Sequence, residues 1–372
     1  MKENITSSGN QNLFAKIASL IEKSRQRVAT AVNTAMVYTY YEVGRYIVED
    51  EQQGKYRAEY GKAVLKELAE RLTKQFGKGW SEKHLQRCRF FFNAFSDGQI
   101  RTTALSNLQS NDIQANKDAC SIQEVSDLHA KYPVFTLSWS HYLILMRIEN
   151  PDERNFYEIE CAKQNWSVRQ LQRQVASSLY ERLALSRDKD EVMRLAQEGQ
   201  TIEKPTDILK NPLTLEFLGL REETAYTESK LESAIISKMQ QFLLEMGKGF
   251  LFEARQKRFT FDEQHFFVDL VFYNRLLRCY VLIDLKTDRL SHQDLGQMQM
   301  YVNYFDRYVR LDDEHPTIGI LLCKEKNDAL VELTLPSDAN IYAQQYALYL
   351  PDKQLLQQKL KQWIKEEETK EE

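Results

Sequence analysis

Three segments of this 372-residue chain carry apolar residues with hardly a break: HFFVDLVFY (265–273), RCYVLIDLKT (278–287) and PTIGILLCK (316–324). Each is too short to span a bilayer and too uninterrupted for a sheet with one face in water, so each reads as a strand covered by helices on both sides. Only NRLL separates the first two, which leaves room for a hairpin and therefore antiparallel pairing. FLFEARQKRFTF (250–261) stands before them across the short turn DEQ, and a helical pattern, ESKLESAIISKMQQFLLEMG, precedes that strand. Between the second and third apolar runs, Ser291 and Asp294 form a capping-box-like start for LGQMQMYVNYFDRYV. The predicted order is helix, three antiparallel strands, helix and a parallel strand, which gives an α/β domain with a central mixed sheet over 226–350.

The first half follows a different period. From Leu13 to about Phe95 apolar residues recur at three and four, as expected of a bundle of antiparallel helices. In KQFGKGWSEKHLQRCRFFFNAF a helix is ended by Gly77 and a new one starts behind Ser81, a helix-turn-helix outline. Arg71, Lys74, Lys78, Lys83, Arg87 and Arg89 face only Glu82 there, so a nucleic-acid backbone is one plausible neighbour and a solvated basic face the other. Residues 96–133 form a polar insertion, and helical signal returns through SVRQLQRQVASSLYERLAL, which carries Arg169 and Arg173. We therefore expect an all-α domain over 1–185, a linker or packed connector over 186–225, and a C-terminal helix with an acidic tail over 351–372. No apolar run reaches the length of a membrane span and the N-terminus lacks a secretory pattern, so a cytoplasmic protein without a membrane partner is expected. Five cysteines, none in a CxxC pair, argue against a disulfide framework or a thiolate zinc site.

Three charged residues interrupt the apolar strands. Asp284 and Lys286 share a face because strand side chains repeat every two residues, and a hairpin closed at NRLL brings Asp269 opposite residues 281 to 284, on the face of Val271. Two carboxylates at short range in a buried setting repel each other unless something compensates. A divalent cation does so, since Mg2+ is held by one or two carboxylates, waters and phosphate oxygens, with Lys286 orienting water or neutralising charge. The alternative is a buried Asp284–Lys286 ion pair with Asp269 hydrogen-bonded at a strand end, though such a pair often adds no stability.

The stretch VDLVFYNRLLRCYVLIDLK resembles the PD-(D/E)xK nuclease superfamily, with Asp269 at the first acidic position and Asp284, Leu285 and Lys286 as the (D/E)xK element. With GKGFLFEARQKRF, GQMQMYVNYFD and HPTIGILLC it is similar to the YhcG type of PDDEXK protein, and YTYYEVGRYI and LSWSHYLILMRI resemble the helical domain that accompanies that nuclease. The resemblance implies a helix-turn-helix or winged-helix-like N-terminal domain followed by a restriction-endonuclease-like domain. It implies cleavage of DNA with Mg2+ (or Mn2+), Asp269 and Asp284 as metal ligands, and Lys286 as the catalytic lysine. By position it adds Glu232 from the first core helix and Gln297 from the later one, with Tyr301 one turn on. Val268 stands where the superfamily name has proline, and Asp284 replaces a longer glutamate. Lys83, Arg87, Arg89, Arg169, Arg173 and Arg255 are the expected nucleic-acid contacts, and cutting both strands would suit a homodimer. A DNA-binding or complex-forming protein that keeps the fold without cutting is the second reading, and a small phosphate-ester hydrolase, for which no glycine-rich phosphate loop exists, the third.

Overall fold

The computed structural model describes residues 4–53, 58–96, 134–187, 189–220, 226–326, 328–336 and 338–371. The insertion expected over 96–133 lies, beyond Ser96, outside the described residues, as do 188 and 221–225 of the expected connector. The chain divides into two compact units, Met1–Gln172 and Arg173–Glu372.

The first unit is helical. Helix α1 (Asn4–Gln53) continues for 50 residues, followed by α2 (Ala58–Phe76) and α3 (Glu82–Phe95). α2 stops where Gly77 turns to φ +88 and donates its N–H to Thr73 O, and α3 starts where Ser81 Oγ accepts from His84 N at 3.3 Å. α3 buries Leu85, Cys88, Phe91 and Phe95, one face at helical spacing. Its partner is α1, which comes so close at Gly44 that a Cβ there would collide with the Cys88 carbonyl. The core beyond is aromatic, with the Phe91 ring 5.1–5.2 Å from those of Phe135, Trp139 and Tyr142. Trp139 and Tyr142 come from α4 (Trp139–Leu145), α5 (Pro151–Gln164) follows, and the division between the units falls within α6 (Val168–Ala176).

The second unit opens with α7 (Leu179–Ala184), α8 (Lys189–Glu198) and the two-residue strand β1 (Leu213–Thr214). Then come α9 (Glu228–Ser237), α10 (Met239–Met246), β2 (Phe250–Phe261), β3 (Gln264–Asn274), β4 (Cys279–Arg289) and α11 (His292–Tyr308). β5 (Ile318–Glu325), α12 (Asp328–Thr334), β6 (Ile341–Ala347) and α13 (Lys353–Glu371) complete it. The strands form one mixed sheet in the order β1-β6-β5-β4-β3-β2. As the short turns require, β2, β3 and β4 are antiparallel neighbours, while the crossover through α11 makes β5 parallel to β4. The turn between β2 and β3 has positive φ at both Asp262 and Glu263, the form that suits a two-residue hairpin.

Each sheet face carries its own core. Leu231, Ile235 and Phe242 of α9 and α10 pack on Leu270, Phe272, Val281, Ile283 and Leu285. Leu295, Met298, Val302 and Phe305 of α11 pack on Val268, Val271, Leu282 and Leu321. Each such side chain contributes about 1.5–3 kcal/mol of burial. The connector joins the first core through Ile208, Leu213, Leu215 and Leu218, and β1 pairs in parallel with β6. It is clamped by Glu245 of α10, fully buried, which accepts from Arg182 Nη1 at 2.5 Å, Arg173 Nη1 at 3.0 Å and Thr214 N at 3.0 Å. Among the described residues no helix is long and apolar enough to cross a membrane.

Candidate active site

The site lies where β3 and β4 part. Their ladder runs from Asn274↔Cys279 to Leu270↔Ile283 and stops; one further rung would set Asp269 opposite Asp284. There the Asp269 carboxylate replaces a strand carbonyl as acceptor, taking the Leu285 N–H on Oδ2 at 2.8 Å. The alternation of β3 slips at this point: Val268 and Val271 share the α11-side core, while Leu270 and Phe272 belong to the other. Strict period two, which set Asp269 with Val271, therefore fails at Asp269 itself. That carboxylate is held by Gln256, whose Nε2 donates to Asp269 Oδ1 at 2.8 Å and to Glu232 Oε2 of α9 at 2.7 Å.

Asp284 and Lys286, two and four residues beyond Leu282 of the α11-side core, take that face as the strand period requires. Asp284 is 4% exposed, and Lys286 Nζ lies 2.8 Å from its Oδ2, 3.5 Å from Asp294 Oδ1 and 3.8 Å from Glu228 Oε1. Burial, then the nearby Asp269 charge, pushes the Asp284 carboxyl up to about 7 despite the ammonium beside it. Burial works against the Lys286 charge, but Asp284, Glu228 and Asp294 outweigh it and hold that group above its usual pKa. Tyr301 is pushed up to about 12 by burial and the Asp284 charge; its hydroxyl donates to Phe267 O at 3.0 Å and accepts from Gln297 Nε2 at 2.5 Å. α11 reaches this position because Gly319 of β5 lets it close in: a Cβ there would stand 2.7 Å from Met298.

The structure thus brings Asp269, Asp284 and Lys286 together, with Glu232 joined to them through Gln256. Gln297 reaches the group only by way of Tyr301. Glu232 is 3% exposed, and Arg255 Nε lies 3.0 Å from its Oε1, outside hydrogen-bonding geometry, so Arg255 belongs to this cluster as the partner of a carboxylate. In the first unit Lys83 and Arg169 are exposed and Arg87 half-buried, while Arg89 is paired with Glu51 at 2.8 Å. Arg173 is a correction: expected at a nucleic-acid surface, it is paired with Glu216 at 3.1 Å and Glu245 at 3.0 Å, which engages its guanidinium inside the second unit. Gln256, readable in the sequence only as a neighbour of Arg255 able to reach a phosphate or cover a sheet edge, instead bridges two carboxylates, and Glu228 and the site role of Asp294 escaped the sequence reading. In the sequence Asp294 is legible only as the capping residue that it also is, its Oδ2 accepting from Ser291 N at 2.8 Å.

Among the described residues, the five acids Asp269, Asp284, Glu232, Glu228 and Asp294 have Lys286 and Arg255 as their cationic partners, an excess of negative charge that suits a cation. Among the described residues no group of three or more His, Cys, Asp or Glu is gathered as a metal cage. A paired-carboxylate site completed by water and phosphate oxygens fits that arrangement, and a protein-only cage for zinc or calcium does not.

Comparison with known proteins places these features in a family. Residues 206–361 match the model of the YhcG PDDEXK nuclease domain, and residues 16–182 that of the DUF1016 N-terminal domain. The chain is 38% identical over 358 residues, 95% of its length and 94% of the other's, to the Escherichia coli (strain K12) protein named "Putative nuclease YhcG". Among solved structures, a repair endonuclease from Pyrococcus abyssi is 16% identical with a TM-score of 0.23, covering 36% of this chain and 50% of that one. An EndoMS–dsDNA complex is 21% identical with a TM-score of 0.25, covering 36% and 49%.

Proposed function

The chain belongs to the YhcG family of PDDEXK nucleases, and from that premise we propose that it hydrolyses phosphodiester bonds of DNA, with its helical N-terminal unit binding the substrate. The observation that carries this reading is the meeting of Asp269 and Asp284 beside Lys286 at the fork of β3 and β4. Asp269 and Asp284 would hold a Mg2+ or Mn2+ ion, which supplies charge stabilisation at the phosphorus oxygens and a more acidic water.

The remaining roles follow from this chain's own groups. Lys286 Nζ, 2.8–3.8 Å from three carboxylates, serves as a donor and a counter-charge for a phosphate oxygen or orients the attacking water. The Leu285 N–H fixes one oxygen of Asp269 and the Gln256 amide the other, so that carboxylate is oriented before substrate arrives. Tyr301 is anchored on the Phe267 carbonyl and keeps its proton, which makes it a wall of the site and a support for Gln297. In the first unit, Lys83, Arg87 and Arg169 are the groups placed to meet phosphates, a sequence-independent contact that salt weakens.

Plasmid incubated with Mg2+ and the purified chain should be cut, and Asp284→Ala should abolish cutting. Equal cutting by both removes the assignment of the site. Cutting by neither across supercoiled, linear, branched and single-stranded DNA leaves the non-cleaving binder as the reading. The ratio of nicked to linear product over time reports whether both strands are cut in one encounter, as two copies acting together would do.

A further inference from the structure

At Gln256 the backbone of β2 leaves the strand region for φ +46, a left-handed value that residues with a side chain adopt at a cost. The β2–β3 ladder pairs Arg255↔Leu270 and Lys257↔Val268 but omits the rung between them, where Gln256 would face Asp269. In a regular strand two consecutive residues point to opposite faces. Here both reach one carboxylate: Arg255 Nε lies 3.0 Å from Glu232 Oε1, and Gln256 Nε2 2.7 Å from Oε2. The left-handed turn is what makes that possible. The same Nε2 stands 2.8 Å from Asp269 Oδ1, so the two amide hydrogens serve carboxylates from two different elements, α9 and β3.

The chemistry of the bridging group matters. An ammonium or guanidinium here would hold the two acids together equally well and would neutralise them. A carboxylate would repel both. An amide donates two hydrogen bonds and adds no charge. We propose that Gln256 is a positioning residue for the metal-binding acid Asp269: it fixes that carboxylate against Glu232 without adding a charge that would compete with a divalent cation, and the left-handed backbone at 256 is the device that aims it. A strained conformation held at one such point accords with a functional constraint there. The inference rests on the reading that Asp269 and Asp284 hold a cation.

Mn2+ serves as the probe, titrated without DNA and followed by the electron paramagnetic resonance signal of the free ion. Three chains are compared, the parent, Gln256→Leu and Gln256→Lys, each with its melting temperature. Gln256→Leu removes both donors and should weaken Mn2+ binding about tenfold, with a matching rise in the Mn2+ concentration for half-maximal cleavage. Gln256→Lys keeps the bridge but adds a positive charge, so it should retain the melting temperature and still weaken Mn2+ at least as much. Binding by either variant within twofold of the parent overturns the positioning role, and should the leucine chain fail to fold, the lysine chain decides alone. If the parent itself binds no Mn2+, or Asp284→Ala leaves its binding intact, the metal reading has failed, a result distinct from parent-like binding by the Gln256 variants.

Discussion

Glu245→Gln is expected to destabilise the second unit by about 3–5 kcal/mol, the usual cost of stripping one partner from a buried ion pair. The side chains of Glu245 and Arg182 are both 0% exposed. Without the carboxylate charge, Arg182 keeps only neutral acceptors, Ser177 O at 2.7 Å, Ser177 Oγ at 3.1 Å and Pro212 O at 3.0 Å. Arg173 does not add to the loss in full, because it retains Glu216 through contacts of 3.1 and 3.2 Å. A second route gives a similar figure. Burial alone would raise the Glu245 carboxyl, but Arg182, Lys210 and Arg173 more than offset it and hold the group at about 2 against its usual 4.5. A depression of that size corresponds to about 3 kcal/mol.

The sign fixes the pH window. A carboxylate whose pKa is depressed in the folded state contributes fully above the unfolded value, and that contribution drains away as pH falls through the folded one. Thermal unfolding of the parent and Glu245→Gln, followed by circular dichroism, should therefore show melting temperatures separated by about 6–20 °C at pH 7. The separation should persist to about pH 5 and narrow between the usual 4.5 and about 2. Replacing Glu245 and Arg182 together by methionine should recover only part of the loss, since Arg182 is then no longer stranded but the buried Lys210 and the Thr214 N–H still lose the carboxylate. A separation under about 2 °C at pH 7, or one that does not change down to pH 3, would refute the argument.

Gly44→Ala forces a methyl group against the Cys88 carbonyl and should lower the stability of the helical unit by about 1–3 kcal/mol, read as an earlier melting transition; an unchanged transition would show that α1 and α3 are free to separate. Lys286→Met should slow cleavage about a hundredfold or more while DNA binding in EDTA stays near the parent value, so a loss confined to binding would speak against its place in the site. Cys88, Cys161 and Cys279 are buried and burial pushes each thiol up to about 12, so they should resist a thiol reagent in the native chain and react at once in denaturant; rapid native labelling at any of them, mapped by mass spectrometry, would contradict their burial. Lys83→Ala with Arg87→Ala should weaken DNA binding for all sequences alike and flatten its salt dependence by one to two units of slope on a logarithmic plot, whereas Arg173→Ala should act on stability.

Much of the second unit was legible because β3, β4 and β5 are apolar on both faces, a pattern no water-facing element produces, and because Ser291 and Asp294 mark the start of α11 through a capping box that the structure forms. The hairpin length limited the register closely enough to bring Asp269 and Asp284 together. β6 was missed since Gln344 and Gln345 break its apolar run; Gln344 is buried and answered by the Lys210 carbonyl at 2.8 Å, a partner with no trace in the local sequence. β1 is two residues long and exists only through its neighbour. Arg173 reads in the sequence as a nucleic-acid contact because its acid partners, Glu216 and Glu245, lie 43 and 72 residues away in the chain. The left-handed turn at Gln256 had no signal either, for glutamine is not a residue that announces such a backbone.

The acid on β3 is joined to α9 through Gln256, and the lysine paired with the acid on β4 lies 3.5 Å from Asp294 of α11, so the distance between the two acids is a gauge of how the sheet is wound. Winding responds to remote packing: a methyl group at Gly319, pressing Met298 outward, would shift one brace and leave the other in place. Such a change would alter the grip on an ion without touching any atom that would hold it, which makes the α11-facing side of β5 a dial for tuning this centre.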